Sequence, residues 1–151
     1  MRSIAWGTPL IVLGLLIRGS ASGTLRKNEQ LATTGPYAYT RNPLYLGSVI
    51  MAVGFAIAAK NLWIVLIMTA MFLAIYLPVI RAEESYLAQN FPEFSDYAHR
   101  VPRFIPRLSR GSRTPSSFTW DLYCKHREYN SAVGSLAIMA ALLVKLHWVR
   151  H

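Results

Sequence analysis

Two apolar runs, residues 44–59 and 62–80, are separated by only Lys60 and Asn61. A connection that short forces consecutive helices to lie antiparallel, so the start of the first run and the end of the second meet at one membrane face. The second run has 19 residues without a charge and, at about 1.5 Å per residue, nearly spans a hydrocarbon core of roughly 30 Å. The first run is shorter and needs help from Tyr37 and Tyr39 or from local thinning of the bilayer. The sequence therefore predicts a membrane hairpin.

Two weaker apolar spans flank the hairpin, at residues 4–17 and 132–149. The last one contains Lys145 and His147, whose polar ends can reach the interface. The pattern predicts an all-α fold, an integral membrane helical bundle of about four transmembrane helices. The strongest signal lies in the central hairpin, and the polar segments supply cytosolic interfacial helices.

The first span has a competing interpretation as a signal peptide. Met1 and Arg2 precede an apolar run, and the small residues at 20–22 resemble a cleavage site. Arg18 follows the apolar run directly, where cleavage regions are usually uncharged. This position favours a retained helix.

The net charge of +9 is unevenly distributed, because most Lys and Arg residues lie in segments 18–43 and 81–131, as do all seven acidic residues. The positive-inside rule places both segments in the cytoplasm and both termini outside, in an inner (plasma) membrane. A basic cytosolic surface suits anionic lipid headgroups, so membrane lipids are the predicted partners. No nucleic-acid-binding signature accompanies the charge, so no nucleic-acid partner is predicted.

Cysteine and histidine patterns predict neither a disulfide nor a metal site. Cys124 is the only cysteine, which excludes an intrachain disulfide and a multi-cysteine site. His99 and His126 do not have ligand-like spacing with other His or Cys residues.

The polar segments carry several local predictions. Residues 18–34 are interpreted as a loop and a short interfacial helix, 101–106 as extended chain before prolines, and 107–117 as a flexible linker. The spacing of Tyr86, Leu87, Phe91, Phe94 and Tyr97 predicts a short amphipathic helix with a break at Pro92. Residues 120–129 are predicted as one interfacial helix that runs into the last span.

The hairpin should bring together a cluster at residues 35–47 and a second at 81–84. Backbone amides at the helix start attract anions, and Arg41 adds donors for a carboxylate or phosphate. Nearby rings and hydroxyls could hold a purine or a sulfonium cation, namely those of Tyr37, Tyr39 and Tyr45. The adjacent carboxylates Glu83 and Glu84 need positive compensation from Arg81, Arg41 or a cationic ligand.

Simpler interpretations compete with a site. The tyrosines and Arg41 could form an interfacial aromatic belt with a snorkelling arginine, and Glu83 and Glu84 could be a solvated helix end. Gly47 and Gly54, seven residues apart, favour close helix packing. No glycine-rich phosphate loop or dinucleotide-binding fingerprint is present.

The two clusters resemble a known family. The sequence Gly35-Pro36-Tyr37 followed by Arg41-Asn42-Pro43-Leu44-Tyr45-Leu46-Gly47 is similar to the Gly-Pro-Tyr…Arg-His-Pro-x-Tyr-x-Gly motif of isoprenylcysteine carboxyl methyltransferases, which share a broader pattern with membrane phospholipid methyltransferases. Glu83-Glu84 and the Val101–Pro106 stretch resemble the C-terminal signature. The resemblance covers residues 24–106, which would form the catalytic core of one 1–151 domain, followed by an interfacial helix and last transmembrane helix at about 118–149.

The resemblance implies a membrane methyltransferase that uses S-adenosylmethionine, releases S-adenosylhomocysteine, and takes a lipid-like or prenylated acceptor. It places these residues around the cofactor: Leu31, Ala32, Tyr37, Asn42, Pro43, Leu44, Tyr45, Gly47, Glu83 and Glu84. It implies catalytic roles for Arg41, Arg81 and Glu84. Arg81 and Arg103 would orient an anionic group of the substrate.

Two departures bear on the chemistry. Asn42 replaces the family's histidine and cannot carry a proton, and Phe91-Pro92 replaces the usual Phe-Gly. A carboxylate acceptor needs no base and is favoured slightly, whereas an amine would rely on Glu83 or Glu84. The alternatives are a sterol-reductase-like membrane oxidoreductase and a non-catalytic membrane protein that binds lipid headgroups or a partner.

Overall fold

A computed structural model describes residues 2–26, 29–107 and 118–149. The described elements are helical, and no strand occurs among them, which confirms the all-α prediction. The α-helices are α1 Arg2–Ser22, α2 Pro43–Ala59, α3 Leu62–Met71, α4 Leu77–Asn90, α5 Phe94–Arg100, α6 Trp120–Lys125 and α7 Tyr129–Val149. A 3-10 turn, Gly35–Ala38, precedes α2. The predicted linker at 107–117 falls outside the described residues from 108 onward.

The predicted hairpin is present and turns at Lys60 and Asn61. Lys60 takes a left-handed conformation with φ of 50° and ends α2. The Asn61 side chain accepts a hydrogen bond from the Trp63 amide at 2.9 Å and so caps α3. At the open end, the rings of Tyr45 and Tyr76 meet edge to face with centroids 5.5 Å apart.

A π-helical turn, Phe72–Tyr76, joins α3 and α4 into one continuous helix. Pro78 follows it and has no backbone N–H to donate, and the Leu77 amide bonds the Phe72 carbonyl instead of one four residues back. Phe72 stacks on Tyr76 and also contacts the ring of Phe104 at 5.7 Å. The turn therefore places an aromatic group below the polar cluster.

Helices α1 and α2 pack closely along a glycine seam. Gly7 faces Gly54, and Gly14 faces Gly47, so the pairs lie one heptad apart in antiparallel register. A Cβ atom on Gly54 would lie 2.8 Å from the Gly7 carbonyl oxygen. The structure thus confirms that Gly47 and Gly54 permit close packing and identifies α1 as their partner.

The prediction of a loop from residue 18 is wrong, because α1 continues to Ser22. The Arg18 side chain bonds groups from α2 and from the segment after α6, which holds this turn in the helix. Gly23 then ends the helix, with its amide bonded to the Gly19 carbonyl.

Two helices are long and apolar enough to cross a membrane, Ser3–Ser22 and Leu62–Asn90. Two shorter apolar helical stretches, Pro43–Ala59 and Tyr129–Lys145, match the other predicted spans. The relative lengths of the apolar helices differ from the sequence-based expectation. Helix α1 is one turn longer at its end, whereas α2 is limited to 17 residues by Pro43 and Lys60.

Of the two predictions about the C-terminal helices, one is confirmed and one is wrong. The break near Pro92 is confirmed, since α4 ends at Asn90 and α5 begins at Phe94. The single helix over 120–129 is wrong: α6 ends at Lys125, and Arg127 adopts φ of 52° before α7 begins. This break turns Glu128 inward, where it is 7% exposed.

Candidate functional site

The structure brings the two polar clusters together at the open end of the hairpin. The Asn42 amide donates to the Glu84 carboxylate at 3.3 Å, and Arg41 lies 3.5 Å from the same oxygen. The Tyr45 hydroxyl donates to Glu83 at 3.2 Å. The α2 start and the α4 carboxylates are therefore in direct contact, as the two-residue turn requires.

Glu84 is neutralised mainly by Arg103. Both Glu84 oxygens lie 3.1 Å from the Arg103 Nε, and the Arg103 Nη2 is 2.6 Å from Oε2. These hydrogen bonds raise the pKa of the Arg103 guanidinium above its usual range. Arg81, the other cation expected beside the acidic pair, is exposed and has no ion pair within the described part of the chain.

Arg103 is held by an irregular segment, residues 101–107, called the strap here, which lies against the loop before α2 and bends at residues 101 and 103–105 instead of running straight as predicted. The Arg41 amide bonds the Pro102 carbonyl at 2.9 Å, and the Arg107 amide bonds the Tyr39 carbonyl at 3.0 Å. The Arg103 carbonyl accepts from the Thr40 hydroxyl at 3.0 Å. The strap therefore fixes Arg103 over the carboxylate of Glu84.

Asn42 links the strap to α4 through one amide nitrogen. Its Nδ2 donates to Glu84 and also to the Arg103 carbonyl at 3.2 Å. An amide nitrogen has two hydrogens for two acceptors, whereas an imidazole nitrogen has one at most. At this position asparagine acts as a bridge that histidine could not reproduce from a single nitrogen.

Two buried tyrosines support the floor of the site. The Tyr97 hydroxyl donates to the Tyr37 carbonyl at 2.8 Å. Burial raises the pKa of both phenols well above the usual value, and the negative charge of Glu83 adds to the effect on the pKa of Tyr37. Both rings therefore stay neutral over the physiological range. Tyr39, in contrast, is 45% exposed.

Two adjoining cavities surround this group. The smaller one, of about 90 Å³, lies between the 3-10 loop, α4 and α5 and is lined by Leu31 and Ala32. The larger one, of about 660 Å³, extends toward α6 and is lined by Pro43, Leu44 and Tyr45. The residues common to both walls are Leu25, Tyr37, Arg41, Asn42, Glu83 and Tyr86.

Gly47 lies away from these cavities, in the seam with α1. A Cβ atom there would come within 2.7 Å of the Arg18 Cγ and 2.8 Å of the Gly14 carbonyl oxygen. Among the residues that the resemblance places around the cofactor, Gly47 has a packing position instead.

One wall of the larger cavity, formed by His126 and Glu128, was not predicted from the sequence. Glu128 pairs with Arg18 through two contacts, Nε–Oε1 at 2.6 Å and Nη2–Oε2 at 3.0 Å. Arg18 also donates to the Leu44 carbonyl and the Ser48 hydroxyl. The charge of Arg18 at the end of the first apolar run was the one available clue to a buried partner.

An apolar groove of about 410 Å³ lies between α2 and the long helix Leu62–Asn90, which α3, the π-helical turn and α4 form together. Its wall from α2 includes Val49 and Val53, and its wall from the long helix includes Met68, Phe72 and Tyr76. Because Tyr76 contacts Tyr45, the groove leads up to the polar site.

Comparisons with known proteins agree with this architecture. The family model for phospholipid methyltransferase matches residues 3–93. A protein-S-isoprenylcysteine O-methyltransferase from Schizosaccharomyces pombe is 33% identical over 83 residues, 54% of this chain and 35% of that protein. No solved structure matches significantly.

Two bacterial relatives have names that refer to metal resistance. The nickel-cobalt-cadmium resistance protein NccN of Alcaligenes xylosoxydans xylosoxydans is 44% identical over 84 residues, 56% of this chain and 39% of that protein. The cobalt-zinc-cadmium resistance protein CzcN of Cupriavidus metallidurans is 38% identical over 121 residues, 72% of this chain and 56% of that protein. The matches thus span roughly a third to just over half of the relatives' lengths.

The match to the family model covers well over half of the chain and includes both polar clusters and the hairpin between them. This match includes α1, whereas the resemblance in the motifs began only at residue 24. It ends before the strap. The helical fold, the two long apolar helices and the family together identify a membrane protein. This chain belongs to the phospholipid methyltransferase family.

Proposed function

We propose that this protein is an enzyme that transfers a methyl group from S-adenosylmethionine to a hydrophobic, lipid-like acceptor at the cytosolic membrane face. The observation that carries the proposal is the pair of adjoining cavities with Tyr37, Arg41, Asn42 and Glu83 in their common wall. The family match and the similarity to an isoprenylcysteine methyltransferase support it.

The polar atoms of the larger cavity suit the cofactor. Arg41 Nε and Ser22 Oγ are buried without a hydrogen-bond partner among the described residues, and both residues line this cavity. Arg41 offers its free donor to the cofactor carboxylate, and the aromatic rings of Tyr37 and Tyr45 offer faces to the cation and the purine. When bound, S-adenosylmethionine supplies an electrophilic methyl group on a sulfonium.

The two carboxylates have different capacities for a ligand. Glu84 is occupied by Arg103, Arg41 and Asn42. Among the described residues, the Glu83 carboxylate accepts one side-chain hydrogen bond, from the Tyr45 hydroxyl, and it lines both cavities. We therefore assign Glu83 to the cofactor's amino or ribose groups and Glu84 to holding the strap.

The apolar groove supplies a place for the acceptor's chain. It opens between α2 and the long helix, and it ends at Tyr76 beside Tyr45. An acceptor with its chain in the groove would present its polar end at the site, as a membrane lipid or a prenylated molecule would. The positive-inside distribution of charge supports an inner-membrane location with this end in the cytoplasm and the termini outside.

The rivals make different predictions about the cofactor. A sterol-reductase-like enzyme would bind a nicotinamide dinucleotide, and a non-catalytic lipid-binding protein would bind no adenosyl cofactor. The names of two relatives also suggest direct metal binding. Within residues 2–26, 29–107 and 118–149, however, no cluster of three or more His, Cys, Asp or Glu side chains could hold a metal ion.

Calorimetry of S-adenosylhomocysteine binding to the full chain in detergent tests the proposal. We expect saturable binding that is weakened about 10- to 100-fold by Glu83→Gln, since a hydrogen bond to a charged group contributes about 1.5–3 kcal/mol. The matched control is Glu93→Gln at an exposed position outside the cavities, which should leave affinity unchanged. Absence of binding to a wild-type protein with intact helical circular dichroism would overturn the methyltransferase proposal.

A further inference from the structure

His126 lies on the turn between α6 and α7, beyond the residues that the family model matches, and lines the larger cavity with Tyr45 and Glu83. It is half-buried. The turn is fixed on both sides: the His126 amide bonds the Leu122 carbonyl, and Glu128 is anchored by Arg18. The ring is therefore held at the wall of the proposed reaction site.

The hydrogen bonding of this ring defines its tautomer. The Nδ1 atom lies 2.8 Å from the Leu122 carbonyl oxygen. A carbonyl oxygen only accepts, so Nδ1 carries the hydrogen, and in the neutral ring Nε2 has a free lone pair. Within the described part of the chain, Nε2 has no hydrogen-bond partner.

The other ionisable groups around the cavity are committed elsewhere. Glu128 is paired with Arg18, and Glu83, which accepts from the Tyr45 hydroxyl, is assigned above to the cofactor. Tyr37 is held neutral by burial, and Arg41 is a cation beside Glu84. The same cavity wall includes Tyr37 of the 3-10 turn, Arg41 of the loop before α2, Tyr45 of α2, and Glu83 and Tyr86 of α4, while Glu128 lies two residues from His126.

We propose that His126 is the general base of the methyl transfer and that the acceptor's nucleophile carries a proton, as a thiol or an amine does. The inference rests on the proposed function. It departs from the carboxylate acceptor that the sequence favours slightly, because a carboxylate requires no base. Asn42, which stands where the resembled motif has histidine, serves as a bridge and cannot accept the proton.

The proton and electron balance is complete with these groups. The lone pair of the thiol or amine forms the bond to the methyl carbon, and the carbon–sulfur pair remains on the sulfur, which becomes a neutral thioether. The proton of the nucleophile moves to Nε2 of His126. One positive charge is present before the step, on the sulfonium, and one after it, on the imidazolium.

Nitrogen NMR of ¹⁵N-histidine-labelled full-length protein in detergent tests the base without an acceptor. The His126 signals are assigned by their loss in His126→Asn, whose amide can still donate to the Leu122 carbonyl. We expect the Nδ1-protonated tautomer. We also expect the His126 ring signals to move when S-adenosylhomocysteine is added, since the ring lines the cavity proposed to hold it.

Two NMR results overturn the proposal: an Nε2-protonated neutral ring, or His126 ring signals that do not move under conditions where calorimetry shows the ligand to be bound. Failure of the proposed function would instead be evident as the absence of binding of S-adenosylhomocysteine to the wild-type protein. The NMR and binding measurements therefore test the role of His126 without depending on which acceptor is methylated.

Transfer of labelled methyl to decanethiol, decylamine and decanoate tests the acceptor class. With decanethiol or decylamine, we expect a wild-type rate that rises with pH, because only the neutral ring of His126 can accept the proton. His126→Asn should lose that rise and about 10²- to 10⁴-fold in rate while S-adenosylhomocysteine affinity stays within about twofold. The exposed control His99→Asn should behave as wild type. Transfer to decanoate alone, or an unchanged pH profile in His126→Asn, would overturn the proposal.

Discussion

Asn42 and Glu84 occupy the positions that the motif predicts, but their hydrogen bonds give them supporting roles. Asn42 stands where the resembled motif has histidine, yet its amide joins the strap to α4 by two hydrogen bonds. The Glu84 carboxylate accepts hydrogen bonds from that amide and from the guanidinium of Arg103, so it has little remaining capacity to accept one from a ligand. At this scale, the motif identifies the position of the site, while the hydrogen bonds decide which residue supports it and which faces the cavity.

Tyr97 should make the folded state sensitive to alkaline pH. Burial raises the pKa of Tyr37 and Tyr97 in the folded state, so both are neutral in the folded and unfolded states below about pH 10. Above pH 10 the unfolded chain ionises first, and stability should fall by up to about 1.4 kcal/mol per pH unit for each phenol until the raised pKa values are reached.

Thermal unfolding between pH 8 and 11.5 measures this effect. Tyr97→Phe should cost about 1 kcal/mol at pH 8, because the hydrogen bond to the Tyr37 carbonyl is lost, but its stability should fall less steeply above pH 10. Tyr39→Phe, at an exposed position, is the matched control with the wild-type slope. Equal alkaline slopes for Tyr97→Phe and wild type would contradict the prediction.

Elements were predictable where the cause is local. The hairpin follows from a two-residue turn, and the end of α4 follows from Pro92. The π-helical turn was not predicted, although Pro78 directly after it is a local signal. The break at Arg127 was not predictable from local sequence, because the adjacent Glu128 is held by Arg18 of a distant segment. The acidic pair and Asn42 could be placed together by helix direction alone, but the approach of Arg103 and His126 needed the path of the strap and of α6.

The glycine seam between α1 and α2 should be intolerant of even one added methyl group. Gly54→Ala would place a Cβ atom 2.8 Å from the Gly7 carbonyl oxygen, which is backbone and cannot move aside. We expect destabilisation of about 1–3 kcal/mol, measured by thermal unfolding in detergent. The matched control is Gly134→Ala in α7, where no atom lies within 4 Å and the better helix former should be neutral or stabilise by up to about 1 kcal/mol. Similar losses in both variants would mean that the seam is not tight.

The whole molecule consists of a family-matched part and a C-terminal part that share one cavity. The hairpin, α1 and the paired carboxylates lie within residues 3–93. The strap supplies Arg103, and the α6–α7 turn supplies His126 and Glu128. Polar contacts between the C-terminal part and the end of α1 include the Thr119 amide on the Gly23 carbonyl at 2.9 Å and the pair of Glu128 with Arg18. The site is thus completed only when both parts are joined.

The Arg18–Glu128 pair should therefore couple the two parts energetically. The two side chains are 22% and 9% exposed, so removing one partner leaves the other largely buried and uncompensated. Because Arg18 is partly solvated, we expect a loss of about 2–3 kcal/mol for Arg18→Met and about 1–2 kcal/mol for Glu128→Gln, with the double variant less destabilised than the sum by about 1–2 kcal/mol. Denaturant unfolding in detergent measures the cycle. A parallel cycle on the exposed α6 residues Asp121 and Lys125, as Asp121→Asn and Lys125→Met, should be additive. Additivity in both cycles would show that the parts associate without this ion pair, and the wall that presents His126 would then need another anchor.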